Sequence, residues 1–95
     1  MATAINSGND FEIRNITVNS TTDTPIDFNQ RVNSVLIRCR SSIDLYVRYL
    51  VNASDYFTIP SGTSLSLDVS MRRPDEAFYV RSASATPVVE VIGSI

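Results

Sequence analysis

The sequence predicts an all-β fold, a single-domain antiparallel β-sandwich of the jelly-roll-like or immunoglobulin-like type, with seven to eight short strands. Three observations lead to this prediction. Apolar and polar residues alternate along most of the chain, turn-forming residues separate the alternating runs, and no long segment has helical spacing. The 95 residues suffice for one domain, which we expect at 11–95 after a flexible N-terminal arm at 1–10.

In chain order, strands are predicted at 11–18, 26–28, 32–40, 45–52, 57–59, 64–71, 77–82 and 88–92. The first strand is irregular, because Phe11 and Ile13 share one phase of the alternation whereas Ile16 and Val18 share the other. A bulge or bend near Asn15, or a change of sheet at that point, would place all four side chains inside.

The later strands alternate more regularly. The pattern puts Cys39 on an inward face, Tyr46 and Tyr79 on outward faces, and Tyr49 inward. The strand at 64–71 is the clearest, because its two leucines, its valine and its methionine share one face and polar residues hold the other. Turn-forming residues precede the last three strands, at Pro60-Ser61-Gly62, 72–76 and 83–87.

The charged residues exclude several kinds of chemistry. All eight basic residues are arginine, lysine and histidine are absent, and the formal net charge is −2. Without imidazole or lysine amines, the usual nucleophilic triads, Schiff bases and phosphate-binding loops are excluded. We therefore expect no enzyme and no catalytic residue. The negative net charge gives no electrostatic reason to expect nucleic acid as a partner.

Metal, cofactor and membrane binding are not indicated either. Cys39 is the only cysteine, which excludes an internal disulfide and a cysteine-based zinc site, and we expect a reduced, structural thiol. The acids lack the spacing of a calcium loop, although Asp23, Asp27 and Asp55 lie near predicted turns. No apolar run is long enough to cross a membrane, and the N-terminus has no secretory pattern, so we expect cytoplasmic synthesis.

The stretch VLIRCRSSIDLYVRYLV, residues 35–51, places arginines among apolar residues. If it forms a hairpin around Ser42-Ile43-Asp44, the apolar phase fixes a register. One face would then pair Cys39 with Val47, Ile37 with Tyr49 and Val35 with Val51, and the other would pair Arg40 with Tyr46, Arg38 with Arg48 and Leu36 with Leu50. Two arginines directly opposite are unfavourable by about 0.2–1 kcal/mol unless a carboxylate compensates them.

Two interpretations of these arginines follow. An acid on an adjacent strand, such as Glu12, Asp68 or Glu90, or solvent alone, would compensate them within the sheet. Alternatively, this face contacts another subunit, because arginine and tyrosine with apolar neighbours are typical of interface cores. The candidate protein-interface residues are Leu36, Arg38, Arg40, Tyr46, Arg48 and Leu50.

The C-terminal half resembles a known class of proteins. YFTIPSGTSLSLDV, followed by AFYVRSASATPVVEVIGSI, is similar to the C-terminal half of small β-sandwich virion structural proteins of tailed bacteriophages. The resemblance implies a non-enzymatic capsid decoration (cement) protein or a head-tail accessory protein, made in the host cytoplasm and located in the virion. It also implies that the chain binds the major capsid protein or other virion proteins. Because association would enlarge the thin core of so short a chain, we expect a homo-oligomer, and the resemblance implies a trimer where it occupies threefold lattice sites.

Two alternative functions stay open from the sequence. One is a tail or neck accessory subunit of the same particle. The other is a carbohydrate- or host-surface-binding β-sandwich module, in which Tyr46 or Tyr79 would provide a stacking surface.

Overall fold

The computed structural model describes residues 11–29, 31–71 and 78–94; the predicted arm at 1–10 lies outside this description. The described residues form eight β-strands and no helix, which confirms the all-β prediction. The strands are β1 (Phe11–Thr17), β2 (Thr24–Ile26), β3 (Val32–Cys39), β4 (Leu45–Arg48), β5 (Phe57–Ile59), β6 (Ser64–Met71), β7 (Phe78–Ser82) and β8 (Val88–Ser94).

The strands form two four-stranded antiparallel sheets. The first sheet has the order β1-β8-β3-β6 and the second has the order β2-β7-β4-β5. The pairing is nested, because the first strand pairs with the eighth, the second with the seventh, the third with the sixth and the fourth with the fifth. One long hairpin wrapped into two sheets produces this order, which is that of a jelly roll and not of an immunoglobulin-like sandwich.

The core lies between the two sheets. Alternation turns one phase of each strand inward, and these side chains are almost completely shielded from solvent. Full burial of such a side chain stabilises the fold by about 1.5–3 kcal/mol relative to exposure. The buried apolar residues are Val18, Ile26, Phe28, Val32, Val35, Ile37, Leu45, Val47, Ile59, Phe78, Val80, Val89 and Val91. Cys39 packs against this cluster, as predicted.

The predicted bulge or change of sheet near Asn15 in strand β1 is wrong. Its register with β8 is continuous from Phe11 opposite Ser94 to Thr17 opposite Val88, so the strand neither bulges nor changes sheet. Phe11 and Ile13 are exposed instead of buried. The inner phase at this end of β1 is polar, and its side chains bind the segment after β2: Arg14 Nη1 donates to Asp27 Oδ1 at 2.7 Å, and Glu12 accepts from the Asn29 backbone N–H.

The predicted hairpin over residues 35–51 is also wrong. Strand β3 belongs to the first sheet and β4 to the second, so none of the six predicted cross-strand pairs forms. The residues between them cross from one sheet to the other and are fixed by distant segments. The Arg40 N–H donates to the Val88 carbonyl, and the Asp44 carbonyl accepts from the Ala83 N–H. Alternation fixes the inward phase of a strand but not its sheet, so it could not detect this crossing.

Strand β4 is shorter than predicted and ends at Arg48. Tyr49 therefore lies beyond the strand and is 82% exposed, which contradicts its predicted inward position. Tyr46 and Tyr79 do lie in the outward phase of the second sheet, as predicted, because their neighbours Leu45, Val47 and Val80 are buried.

Two glycines meet separate steric requirements. Gly62 has a φ of 78°, and the Thr63 N–H donates to the Pro60 carbonyl, so the predicted Pro-Ser-Gly turn forms with glycine at its left-handed position. Gly93 faces the core from β8, where an added Cβ would lie 2.7 Å from Val32 Cγ1 and 2.8 Å from Phe28 Cε1. Glycine here lets both side chains close the end of the core.

Candidate functional site

The six candidate interface residues do not form one surface. Leu36, Arg38 and Arg40 lie on or next to β3 in the first sheet. Tyr46 and Arg48 lie on the outward side of β4 in the second sheet, and Leu50 lies in the turn that follows. The jelly-roll crossing between β3 and β4 separates the two groups, so each group is described with its own sheet.

The outward side chains of the first sheet form a surface that we call the first-sheet face. An apolar strip crosses it, from Ile13 on β1 through Ile92 on β8 to Leu36 on β3, because the sheet register places these three residues side by side. Phe11, one outward position along β1, extends the apolar area. Exposed apolar side chains clustered on one sheet face are typical of a contact surface.

A charged cluster lies beside this strip. Glu90 stands opposite Arg38 in the register of β8 and β3. Arg38 Nε donates to Glu90 Oε1 at 2.7 Å, and Arg40 Nε donates to Glu90 Oε2 at 3.0 Å. The hydrogen bond from Arg38, and next that from Arg40, lower the pKa of the Glu90 carboxyl below its ordinary value of 4.5. Glu90 is thus the acid that the first interpretation requires, and it compensates Arg38 within the sheet.

The first-sheet face is grooved along β8. A groove of about 420 Å³ is lined by Ile13, Asn15, Leu36, Arg38, Glu90, Val91 and Ile92. Its lining residues come from β8 and from the two strands beside it, β1 and β3. The Arg38 side chain on β3 is 64% exposed, whereas that of Glu90 on β8 is only 26% exposed. The groove therefore has a shallow relief, with β8 as its floor and β3 as one of its walls.

The second sheet carries a buried ion cluster that the sequence did not reveal. Asp23 has a side chain with 0% exposure, and it accepts from Arg48 Nη1 at 3.2 Å and from Arg81 Nε at 3.1 Å. Its other oxygen accepts from the Asn52 backbone N–H at 2.7 Å. Arg48 Nε also donates to the Ala53 carbonyl. We call Asp23, Arg48, Arg81 and Asn52 the Asp23 cluster; it attaches the turn after β4 to the outer side of this sheet.

The turn held by the Asp23 cluster exposes an unusual amount of apolar surface. Five large side chains between positions 49 and 57 are 54% to 82% exposed, and we call them the apolar loop: Tyr49, Leu50, Val51, Tyr56 and Phe57. The Arg48 guanidinium lies 5.0 Å from the centre of the Tyr56 ring. The rings of Tyr46 and Tyr56 pack against each other in an edge-to-face arrangement. These contacts hold Tyr56 and occupy part of the surface that a stacking sugar would need.

A cleft of about 460 Å³ opens next to the apolar loop. Tyr49, Tyr56 and Phe57 line it from the loop, Leu65 and Leu67 line it from the inner face of β6, and the remaining lining residues are Val47, Arg48, Asp55 and Phe78. Its volume falls within the range of ligand and anchor-residue pockets, which are predominantly apolar. The arrangement can accept an apolar side chain, but it brings together no pair of groups suited to acid–base or nucleophilic chemistry.

Among the residues that the structure describes, no group of three or more acidic or thiol side chains is placed to hold a metal ion. The same part of the chain contains no helix long and apolar enough to cross a membrane. No protein-family model matches the chain, and no curated protein matches it at a significant level.

Proposed function

We propose that the chain is a non-enzymatic virion structural protein that acts as a capsid decoration (cement) protein and stabilises a phage head by bridging capsid subunits. The observation that carries the proposal is the apolar loop beside the cleft. Contiguous apolar surface costs solubility when exposed, so its presence in a small folded chain indicates a partner that covers it. The jelly roll and the resemblance of the C-terminal half to phage virion proteins both agree with a capsid partner.

The Asp23 cluster adds a physical reason to regard the apolar loop as a contact site. A loop that becomes ordered only on binding loses conformational entropy at that moment, whereas a loop already held in place avoids much of this cost. The buried carboxylate, the two arginines and the Asn52 N–H hold the loop in one arrangement. Binding would then bury apolar side chains against the capsid and insert a capsid side chain into the cleft, which resembles the anchor pockets of protein interfaces.

Co-sedimentation with empty expanded heads of the phage that encodes the chain tests the proposal. We expect the wild-type chain to bind saturably and to raise the temperature at which the heads disrupt. Leu50→Asp, which places a charge on the apolar loop, should weaken binding at least about tenfold, since about 1.4 kcal/mol corresponds to a factor of ten. Ser84→Asp, a matched change at another exposed position, should bind like the wild type.

The outcomes test the capsid partner and the role of the apolar loop as the contact surface separately. Wild-type protein that does not bind the heads contradicts capsid decoration, and binding to isolated tails or necks in the same assay would instead support the accessory alternative. Equal binding by wild type and Leu50→Asp would keep the capsid partner but exclude the apolar loop as the contact.

A further inference from the structure

The first-sheet face has a relief and a charge pattern that fit a second copy of the same face. Its apolar strip and its charged cluster both lie across the two central strands, β8 and β3. In this register Leu36 is next to Ile92, and Arg38 is next to Glu90. In each of these two pairs, a residue on one central strand lies level with a chemically matching or complementary residue on the other.

We propose that two copies of the chain associate face to face through the first-sheet face, around a twofold axis that runs parallel to the strands between β8 and β3. This axis places β3 of the second copy over the groove along β8 of the first. Leu36 of the second copy then meets Ile92, and Arg38 of the second copy meets Glu90. The same contacts recur on the other side of the axis, as an isologous interface requires.

The charges of the face are compatible with this arrangement. Its outward charged residues, together with Arg40 beside β3, are two arginines and two acids, Arg38, Arg40, Glu90 and Asp68. Around the axis, Arg38 and Glu90 of the two copies alternate in sign, so like charges are not directly opposed. Each Glu90, which already accepts from Arg38 and Arg40 of its own chain, gains a third guanidinium neighbour from the second copy. The outward positions of β6, Ser64 and Ser66, give the face a polar rim beside the apolar strip.

The size of the face sets the expected strength of the dimer. Four strands spaced about 4.8 Å apart and seven residues long give a face of about 19 by 23 Å, or about 440 Å² in projection. A standard stable interface buries about 800 Å² on each partner. We therefore expect reversible association with a dissociation constant in the micromolar range or weaker.

This inference goes beyond the proposed capsid contact and does not depend on it. The apolar loop and the cleft belong to the second sheet and to the inner face of β6, so they stay exposed in the dimer. A dimer would present two such contact surfaces, and the second capsid contact would then form at a high effective concentration. The twofold relation also differs from the trimer that the sequence resemblance implies.

Sedimentation equilibrium over a concentration series tests the association in the absence of capsids. The wild-type mass should rise from 10.5 kDa towards twice that value. Leu36→Asp, which places a charge on the apolar strip, should weaken association at least tenfold. Leu50→Asp is the matched control, because it makes the same change at an exposed leucine in the turn that follows β4 of the other sheet, and it should associate like the wild type.

Thiol cross-linking gives a second measurement that does not rely on a destabilising charge. The proposed axis sets Asn15 of one copy opposite Ser64 of the other, whereas within one chain β8 and β3 lie between these residues, a separation of about 14 Å. In a Cys39→Ala background, Asn15→Cys combined with Ser64→Cys should give covalent dimers with a reagent that reaches about 10 Å, the spacing of packed sheets. Each single cysteine variant should give markedly fewer dimers.

Several results would overturn the proposal. These are a wild-type chain that stays monomeric at millimolar concentration, a mass that converges on three copies, and a Leu50→Asp variant that loses association while Leu36→Asp keeps it. Cross-linking yields that are equal in the double and single cysteine variants would exclude the proposed axis.

Discussion

At the scale of single residues, five arginines of the described part of the chain pair with carboxylates that each occupy a different environment. Arg14 pairs with Asp27, Arg38 and Arg40 share Glu90, and Arg48 and Arg81 share Asp23. Arginine suits this sharing because its planar fork offers several donors, so that one carboxylate can serve two guanidinium groups. Of these three carboxylates, only Asp23 is completely buried. We therefore expect its ion pairs to contribute most to the free energy of unfolding.

Asp23→Asn tests how much the buried ion pairs contribute to the stability of the fold. The substitution keeps the shape but removes the negative charge, which leaves the guanidinium groups of Arg48 and Arg81 largely buried without a counter-charge. Removing one partner of a buried ion pair costs about 3–5 kcal/mol, and we expect about 3 kcal/mol here because both arginines retain some contact with solvent. Urea unfolding measures the loss.

Asp27→Asn is the matched control for this prediction. Its ion pair with Arg14 is about 40% exposed on both sides, and exposed pairs contribute about 0–1 kcal/mol. Equal losses of stability in the two variants would contradict the assignment of Asp23 as the residue that holds the apolar loop.

The Asp23 cluster also shows what the sequence could not predict at this scale. Asp23 lies in a polar run, and its arginine partners are 25 and 58 residues away. No local spacing connects them. The inward position of Cys39 could be predicted, because it depends only on the alternation of its own strand.

At the scale of strands, alternation predicted where the elements lie better than how they pair. Most strands occur within two residues of their predicted positions, since a buried inner face requires the period of two. The prediction failed at Phe11 and Ile13, where apolar residues face outward, and at β4, where the chain turns after Arg48. In both places the apolar side chains belong to an exposed surface, so the assumption that apolar residues face the core misplaced them.

The contact between β3 and β8 predicts a pH dependence. Because Arg38 and Arg40 lower the pKa of Glu90 in the folded chain, the ionised carboxylate stabilises the fold above its ordinary pKa of 4.5, and this contribution is lost as the pH falls through the lowered value. The urea midpoint of the wild type should therefore exceed that of Glu90→Gln by a constant amount at neutral pH. The two midpoints should converge in acid.

The Arg38→Gln, Arg40→Gln double variant provides the background for the control. Without guanidinium partners, the difference in urea midpoint that Glu90→Gln causes should change little with pH. A difference with the same pH dependence in both backgrounds would show that the arginines are not its cause. Measurements at low protein concentration keep the proposed dimer from contributing.

At the scale of the whole molecule, nested pairing joins the two ends of the described chain. The first and last strands of the jelly roll are neighbours, and the last strand lies in the middle of its sheet, between β1 and β3. Short-range patterns in a sequence cannot reveal such pairing, because partners such as Phe11 and Ser94 lie at opposite ends of it. Topology therefore had to come from the structure, whereas the fold class followed from alternation and turns.

The central position of β8 predicts its hydrogen-exchange behaviour. Strands near a chain terminus often open locally, but β8 pairs on both sides and contributes Val89 and Val91 to the core. Its amides should exchange only when the whole domain unfolds, with the global free energy of unfolding. The edge strand β5, which pairs only with β4, should exchange through local opening. Native-state exchange at increasing urea distinguishes the two, and β8 amides that open several kcal/mol below the global value would contradict a fold in which the last strand is the centre of its sheet.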